Sequence, residues 1–169
     1  MAARGEIAPR DPDEAASLYE LTQPMTDAAG LPAYEISNHA RAGEESRHNL
    51  AYWRYRPYLG VGPGAHGRRA GVATVRHRKP ENWLSAVDRN GHGGAEETAL
   101  TALDQATEAL LMGLRLREGV QIAAVQPALN LAAVVQLESH GLLEREGERL
   151  RVLPPGRLLL DAILAEIAL

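Results

Sequence analysis

The densest chemistry of the chain lies between Tyr34 and Gly67, which holds three of its six histidines, four of its five tyrosines and one of its two tryptophans. At its centre stands His48-Asn49-Leu50-Ala51-Tyr52-Trp53. His48 and Tyr52 are four residues apart, as are Asn49 and Trp53, so a helical turn puts each pair on one surface. Imidazole and phenolate are both ligand types for haem iron. An indole face covers a flat apolar ring while its N–H keeps a polar partner. The same six residues would equally serve as an aromatic anchor for a long loop. Arg47, Glu44 and Glu45 beside His48 could orient the imidazole or meet an anionic group, although the two glutamates also read as a solvated loop cluster.

Further on, Leu59-Gly60-Val61-Gly62-Pro63-Gly64-Ala65-His66-Gly67 reads as a strand entering a glycine-rich turn, where missing side chains let a ligand approach the backbone. The string satisfies G-x-G-x-x-[GA], but Pro63 interrupts it and an extended segment follows, so the strand-turn-helix context of a dinucleotide site fails. No Lys-Ser/Thr follows, which excludes a P-loop. A turn needed only for packing would look the same. His39 and His66 are further metal-capable groups whose spacing matches no zinc pattern, and no G-x-S-x-G elbow surrounds any serine.

Composition narrows the classes. The 169 residues include no cysteine, which removes disulfides, thiolate metal sites and thiol nucleophiles together. No apolar run approaches the roughly 18 to 20 residues of a membrane span, and the first residues lack the apolar stretch of a signal peptide, so the expected location is cytoplasmic. The net charge of −4 is unevenly spread: Arg41 to Lys79 carries nine basic residues against Glu44 and Glu45 alone. Arg41, Arg47, Arg54 and Arg56 therefore suit an anionic ligand.

These residues need elements to position them. Asp11-Pro12-Asp13-Glu14 has the form of a helix start, followed by an apolar face at Leu18, Leu21, Met25 and Ala28, a kink at Pro24 and a stop at Gly30. Pro32 to Ser37 and Tyr58 to Val61 read as strands, with two helical turns at Ser46 to Trp53 between them. A strand through Val72 and Thr74 precedes a helix from Pro80 to Gly91, and Asn90 to Gly94 (NGHGG) reads as a linker. Thr101 with Asp104 forms a capping box, after which come three helical segments, a hairpin across Glu146-Gly147-Glu148 and a closing helix. That is winged-helix order. DNA binding is not expected, because the recognition-helix position, Leu131 to His140, offers only Gln136, Ser139 and His140 beside Glu138.

The segments YEISNHA, ESRHNLAYW, YLGVGPGAHG, MGLRLREGV, ESHGLLER and PGRLLLDAIL, in this order and spacing, resemble the C-terminal half of the HemW family. These are haem chaperones related to oxygen-independent coproporphyrinogen III oxidase within the radical-SAM superfamily. The resemblance covers residues 11 to 169. It implies a mixed α/β (α+β) fold: the end of a partial β/α radical-SAM barrel over residues 1–92, then a helical winged-helix-like domain over 93–169. It implies haem or another tetrapyrrole as ligand, with His48, Asn49, Tyr52, Trp53 and Arg47 as haem-binding residues and His48 as iron ligand. Gly62, Ala65 and His66 would contact S-adenosyl-L-methionine (SAM). The family's [4Fe–4S] cluster rests on three cysteines, and this chain has none, so no SAM cleavage is expected from it alone. Porphyrinogen oxidation is the alternative to haem delivery. A partial barrel leaves unpaired strand edges, so self-association or a missing N-terminal half is the expected partner.

Overall fold

Local capping chemistry decides where the helices begin. The computed structural model describes residues 10–169. By its internal contacts the chain divides into one unit ending at Glu45 and a second from Ser46 to Leu169. In the first, α1 (Pro12–Ala28) starts where the Asp11 side chain accepts the Asp13 N–H at 3.0 Å. The helix runs on through Pro24, where the sequence predicts a kink. Its expected apolar face stays open: Leu18, Leu21 and Met25 are all exposed. The strand expected over Pro32 to Ser37 shrinks to a bridge between Ala33 and His39. Tyr34 N–H donates to Asn38 O and Ala40 N–H to Pro32 O, so the chain reverses before a ladder can extend.

The second unit opens with α2 (Arg47–Trp53), capped by Ser46 Oγ accepting the Asn49 N–H. A three-stranded antiparallel sheet follows, β1 (His66–Arg69), β2 (Val72–Arg76) and β3 (Gly94–Ala99), in the order β1-β2-β3, with α3 (Pro80–Asn90) inserted between β2 and β3. A register shift at Val75/Arg76 marks a bulge in the β2–β3 ladder. The strand expected over Tyr58 to Val61 pairs only through Tyr58, which exchanges hydrogen bonds with Arg68 at 2.8 and 2.9 Å. Beyond it Leu59 and Val61 point into solvent, and the chain swings into the turn at Gly62, whose φ is +91°.

Asn90–Gly94, expected to link two domains, is instead a tight connection inside this sheet. Gly91 ends α3 in the left-handed conformation, at φ +75°. A Cβ on Gly93 would lie 2.2 Å from the Trp83 ring, so glycine is required here by close packing. Because β3 pairs along β2 from Val72↔Ala99 to Arg76↔Gly94, the boundary expected between residues 92 and 93 falls within one sheet.

From residue 101 the elements are α4 (Ala102–Gly113), β4 (Val120–Gln121), α5 (Ile122–Val125), α6 (Leu131–Ser139), β5 (Leu143–Glu146), β6 (Arg149–Val152) and α7 (Leu160–Ile167). The second sheet has the order β4-β6-β5, all antiparallel. The predicted capping box is present: Asp104 N–H donates to Thr101 Oγ1 at 3.1 Å and Thr101 N–H to the Asp104 carboxylate at 2.9 Å. Among the described residues, every buried apolar side chain except Ala33 and Ala86 belongs to residues 106–167. Leu110, Leu114, Leu143, Leu150 and Ile167 form the centre of that core.

Since burial of apolar surface is the main stabilising term, this distribution makes residues 100–169 the self-sufficient part. A fragment of residues 100–169 is expected to unfold cooperatively by circular dichroism, at lower denaturant than residues 46–169. A non-cooperative melt of that fragment would contradict the reading.

Candidate functional site: a histidine, tyrosine and methionine cavity beside α2

Two cavities of the second unit involve α2, and they divide the HNLAYW segment between them. His48, Ala51 and Tyr52 line a cavity of about 440 Å³ with Tyr58, His66, Arg68 and Met112. Trp53 instead lines a second cavity, of about 570 Å³, with Arg54, Arg56, Gly113, Glu118 and Arg149 among others. The reason is helical geometry: positions i and i+4 share a face, whereas i+5 turns away from it. Trp53 is covered by Arg115, whose guanidinium carbon lies 5.4 Å from the ring centroid. The Trp53 ring thus packs under Arg115 and lines a different cavity from His48. Tyr52 meets Trp53 edge to face at 5.1 Å and Tyr58 at 5.6 Å, forming an aromatic wall.

His66 reaches the first cavity because β1 returns past Tyr58. Positions 66 and 68 are two apart on one strand and so lie on one face, which puts His66 and Arg68 on the same cavity wall. The turn before β1 is tight: a Cβ on Gly60 would sit 2.3 Å from the His66 carbonyl oxygen. Arg76 Nε also donates to Gly60 O at 3.2 Å, and Arg76 N–H to Ala65 O at 2.9 Å. Gly62 and Ala65 thus belong to a backbone turn pinned by β2, and a Cβ on Gly62 would meet open space. His66 shares its cavity with His48 and Tyr52.

The cavity wall is locked by a charge-assisted cluster. Arg68 Nε and Nη2 donate to the two carboxylate oxygens of Glu108 at 2.8 and 2.7 Å, and the Tyr55 hydroxyl donates to the same carboxylate at 2.6 Å. Tyr55 takes a left-handed backbone conformation, at φ +52°, to reach it. The Arg68 guanidinium holds the Glu108 carboxyl below the usual carboxylate range. Burial, and secondarily the Glu108 hydrogen bond, pushes Tyr55 up to about 12. Burial also raises the Tyr58 phenol.

A parallel clamp joins α2 to the loop before β4. Arg54 donates to both Glu118 oxygens at 2.9 and 2.8 Å, and Arg149 donates to Glu118 O and Gly119 O at 2.7 Å each. Arg54 is thus committed to Glu118, while Arg41 lies 3.6 Å from Glu44. Arg47 opens α2 as an exposed residue, and Asn49 sits within its first turn.

The donor set fits a haem iron better than it fits other cofactors of the expected family. Imidazole, phenol and thioether, from His48, His66, Tyr52 and Met112, are all haem-ligand types. Among the described residues no group of three or more His, Cys, Asp and Glu could hold a bare metal ion. Thiolates for an iron–sulfur cluster are absent from the whole sequence.

Residues 100–159 match the HemN C-terminal domain. Over 95% of its length the chain is 40% identical to the haem chaperone HemW of Mycobacterium tuberculosis, of which it spans 41%. The chain is the counterpart of the C-terminal part of HemW-type proteins. It is also 36% identical, over 95% of its length, to the mitochondrial radical S-adenosyl methionine domain-containing protein 1 of Mus musculus, spanning 40% of that protein. A solved structure of coproporphyrinogen III oxidase (HemN) from Escherichia coli, a radical SAM enzyme, superimposes with a TM-score of 0.71 at 18% identity, covering 97% of this chain and 44% of that one. This likeness establishes a shared mixed α/β fold with HemN. The chain spans about two-fifths of the length of these relatives. Among its described residues no helix is long and apolar enough to cross a membrane.

Met112, Tyr58, Arg68 and Glu108 were not singled out by sequence as site residues. The available signal was the alternation His66-x-Arg68 on one strand face, with Glu108 and Met112 four apart on one helix.

Glu108 titration gives a signed prediction. Its depressed folded-state pKa contributes stability that is present above the ordinary carboxylate pKa and lost as pH falls through the folded one. Tyr55 does the reverse at high pH: stability falls as pH rises from 10.0 toward about 12. Glu108→Gln should lower the unfolding free energy at neutral pH by about 2 kcal/mol, the worth of hydrogen bonds to a charged group, and flatten the acid limb. Tyr55→Phe should remove part of the alkaline limb. Urea titrations across pH measure both, and an unchanged acid limb in Glu108→Gln would contradict the lock.

Proposed function

We propose that this chain is the haem-handling C-terminal part of a HemW-type protein, binding haem or a closely related tetrapyrrole in the cavity beside α2, and not cleaving SAM on its own. One observation carries the reading: the His48 and Tyr52 side chains line a single cavity with His66 and Met112, in a chain 40% identical to a protein named as a haem chaperone. When bound, haem supplies an iron that accepts a nitrogen or sulfur ligand. The chain's own residues supply the rest. His48 offers an imidazole from a helix fixed at its N-terminus by Ser46 and at its C-terminal end by Arg54–Glu118. Tyr52 and Tyr58 provide apolar faces against a flat macrocycle. Because Arg54 and Arg68 are tied to glutamates, and Arg56 lines the other cavity, Arg47, exposed at the start of α2, is the cation to which we assign a propionate.

Porphyrinogen oxidation is the alternative activity within the family. It would need a cluster whose thiolates must come from another polypeptide segment, since this one has no cysteine. The SAM contact that the resemblance implies for Gly62, Ala65 and His66 would need such a completed protein, which would also cover open strand edges. We take its setting to be the cytoplasm. DNA is not among the proposed partners: on the wing, Arg145 is tied to Glu138 at 2.5 Å and Arg151 to Glu144 and Glu146, so its cations are not displayed for phosphates.

The test is a titration of the 169-residue chain with haemin, followed by its Soret band. Saturable binding at one site is expected. His48→Ala should shift the band or raise Kd about tenfold or more, while His140→Ala, at the C-cap of α6, should change neither. Arg47→Ala should leave the spectrum intact and weaken binding a few fold, about 1 kcal/mol for a partly exposed ion pair. Saturable binding that His48→Ala leaves unchanged in spectrum and affinity, or no saturable binding at all, would overturn the proposal.

A further inference from the structure

We infer that His66 is the second iron ligand of this site, so that haem is held between an imidazole from α2 and an imidazole from β1. This rests on the haem-binding reading above and goes beyond it, because neither the motif around His48 nor the likeness to HemW-type proteins assigns His66 to iron.

The cavity contains few groups able to complete the coordination sphere, and the structure separates them. Tyr58 is packed edge to face on Tyr52, and its backbone is bridged to Arg68 on β1. Tyr52 is engaged as an aromatic wall, edge to face with both Trp53 and Tyr58. Arg68 carries no lone pair and is bound bidentate to Glu108. That leaves His66 and Met112 beside His48.

Between these two, His66 is held by the more constrained backbone. Its strand partner is Val75, and its neighbour Ala65 accepts from Arg76 N–H at 2.9 Å. Two positions later Arg68 locks the same strand to α4 through Glu108. Met112, on the last turn of α4, is an unbranched thioether able to turn into or away from the cavity. A ligand fixed by a pinned strand costs less ordering on binding than one carried on a flexible side chain. The imidazole on β1 is therefore the better-organised partner for the one on α2. Joining two elements through iron would also couple the position of α2 to that of the glycine-rich turn before β1.

Coordination number is the direct readout. With ferric haemin bound, the chain should give the low-spin electron paramagnetic resonance and optical spectrum of two strong nitrogen ligands. His66→Ala should still bind haemin, with Kd raised no more than about tenfold, but convert the iron to high spin. Added imidazole should restore the low-spin spectrum. Met112→Leu should leave the spectrum of the parent chain. If His66→Ala keeps the low-spin spectrum, the inference is wrong while haem binding by the chain stands. If Met112→Leu alone converts the iron to high spin, the second ligand is the thioether and the assignment to His66 is overturned. If the parent chain binds no haemin, the functional reading itself fails and this inference fails with it. Circular dichroism of each variant establishes that it is folded, and His66→Gln, which keeps a polar group of similar length, should behave as His66→Ala does.

Discussion

The interaction on which the second unit depends is the contact of one carboxylate, Glu108 on α4, with Arg68 on β1 and Tyr55 after α2. It gathers onto α4 a strand and a loop whose residues lie 40 and 53 positions from Glu108 in sequence. A bidentate guanidinium–carboxylate pair fixes direction as well as distance. Arg68 and Glu108 keep only 20% and 25% of their side-chain surfaces exposed, so salt screens the pair less than a surface one. Removing one partner would leave the other charged and half-buried, which costs more than the pair contributes. The cavity beside α2 exists because this cluster holds β1 where His66 and Arg68 complete its wall.

The same cluster changes how the charge of the chain is to be understood. A count along the sequence gives nine basic and two acidic residues from Arg41 to Lys79, which suggests a strongly positive face. In the folded chain Glu97, Glu108 and Glu118 come back onto that segment and pair with Arg69, Arg68 and Arg54. Much of the apparent field is therefore internal neutralisation, and an anionic ligand meets fewer cations than the segment contains. Local charge counts fail here because charge pairing is a property of the fold, not of the neighbourhood in sequence.

What the sequence made legible was what short-range physics controls. The caps at Asp11 and Thr101, the glycine stops and the hairpin across Gly147 all depend on residues within a few positions of each other. The strands expected at Pro32 to Ser37 and Tyr58 to Val61 depended on partners that sequence does not name, and each shrank to a single bridge. NGHGG looked like a linker because glycine has two uses, freedom and close approach, and here the Trp83 ring takes the second. At the site, the four-residue spacing of His48 and Tyr52 leaves both on one cavity wall. The fifth position, Trp53, went to the other side of α2, and His66 joined from a strand whose path depends on the distant Glu108.

The most direct measurement of the central claim is a crystal structure of the 169-residue chain grown with haemin. The account predicts iron bonded to His48, in the cavity walled by Tyr52, Tyr58 and His66, with Arg68 still paired to Glu108. Iron bonded elsewhere, for example at His39, or haem lying in the Trp53 cavity with His48 facing solvent, would contradict it.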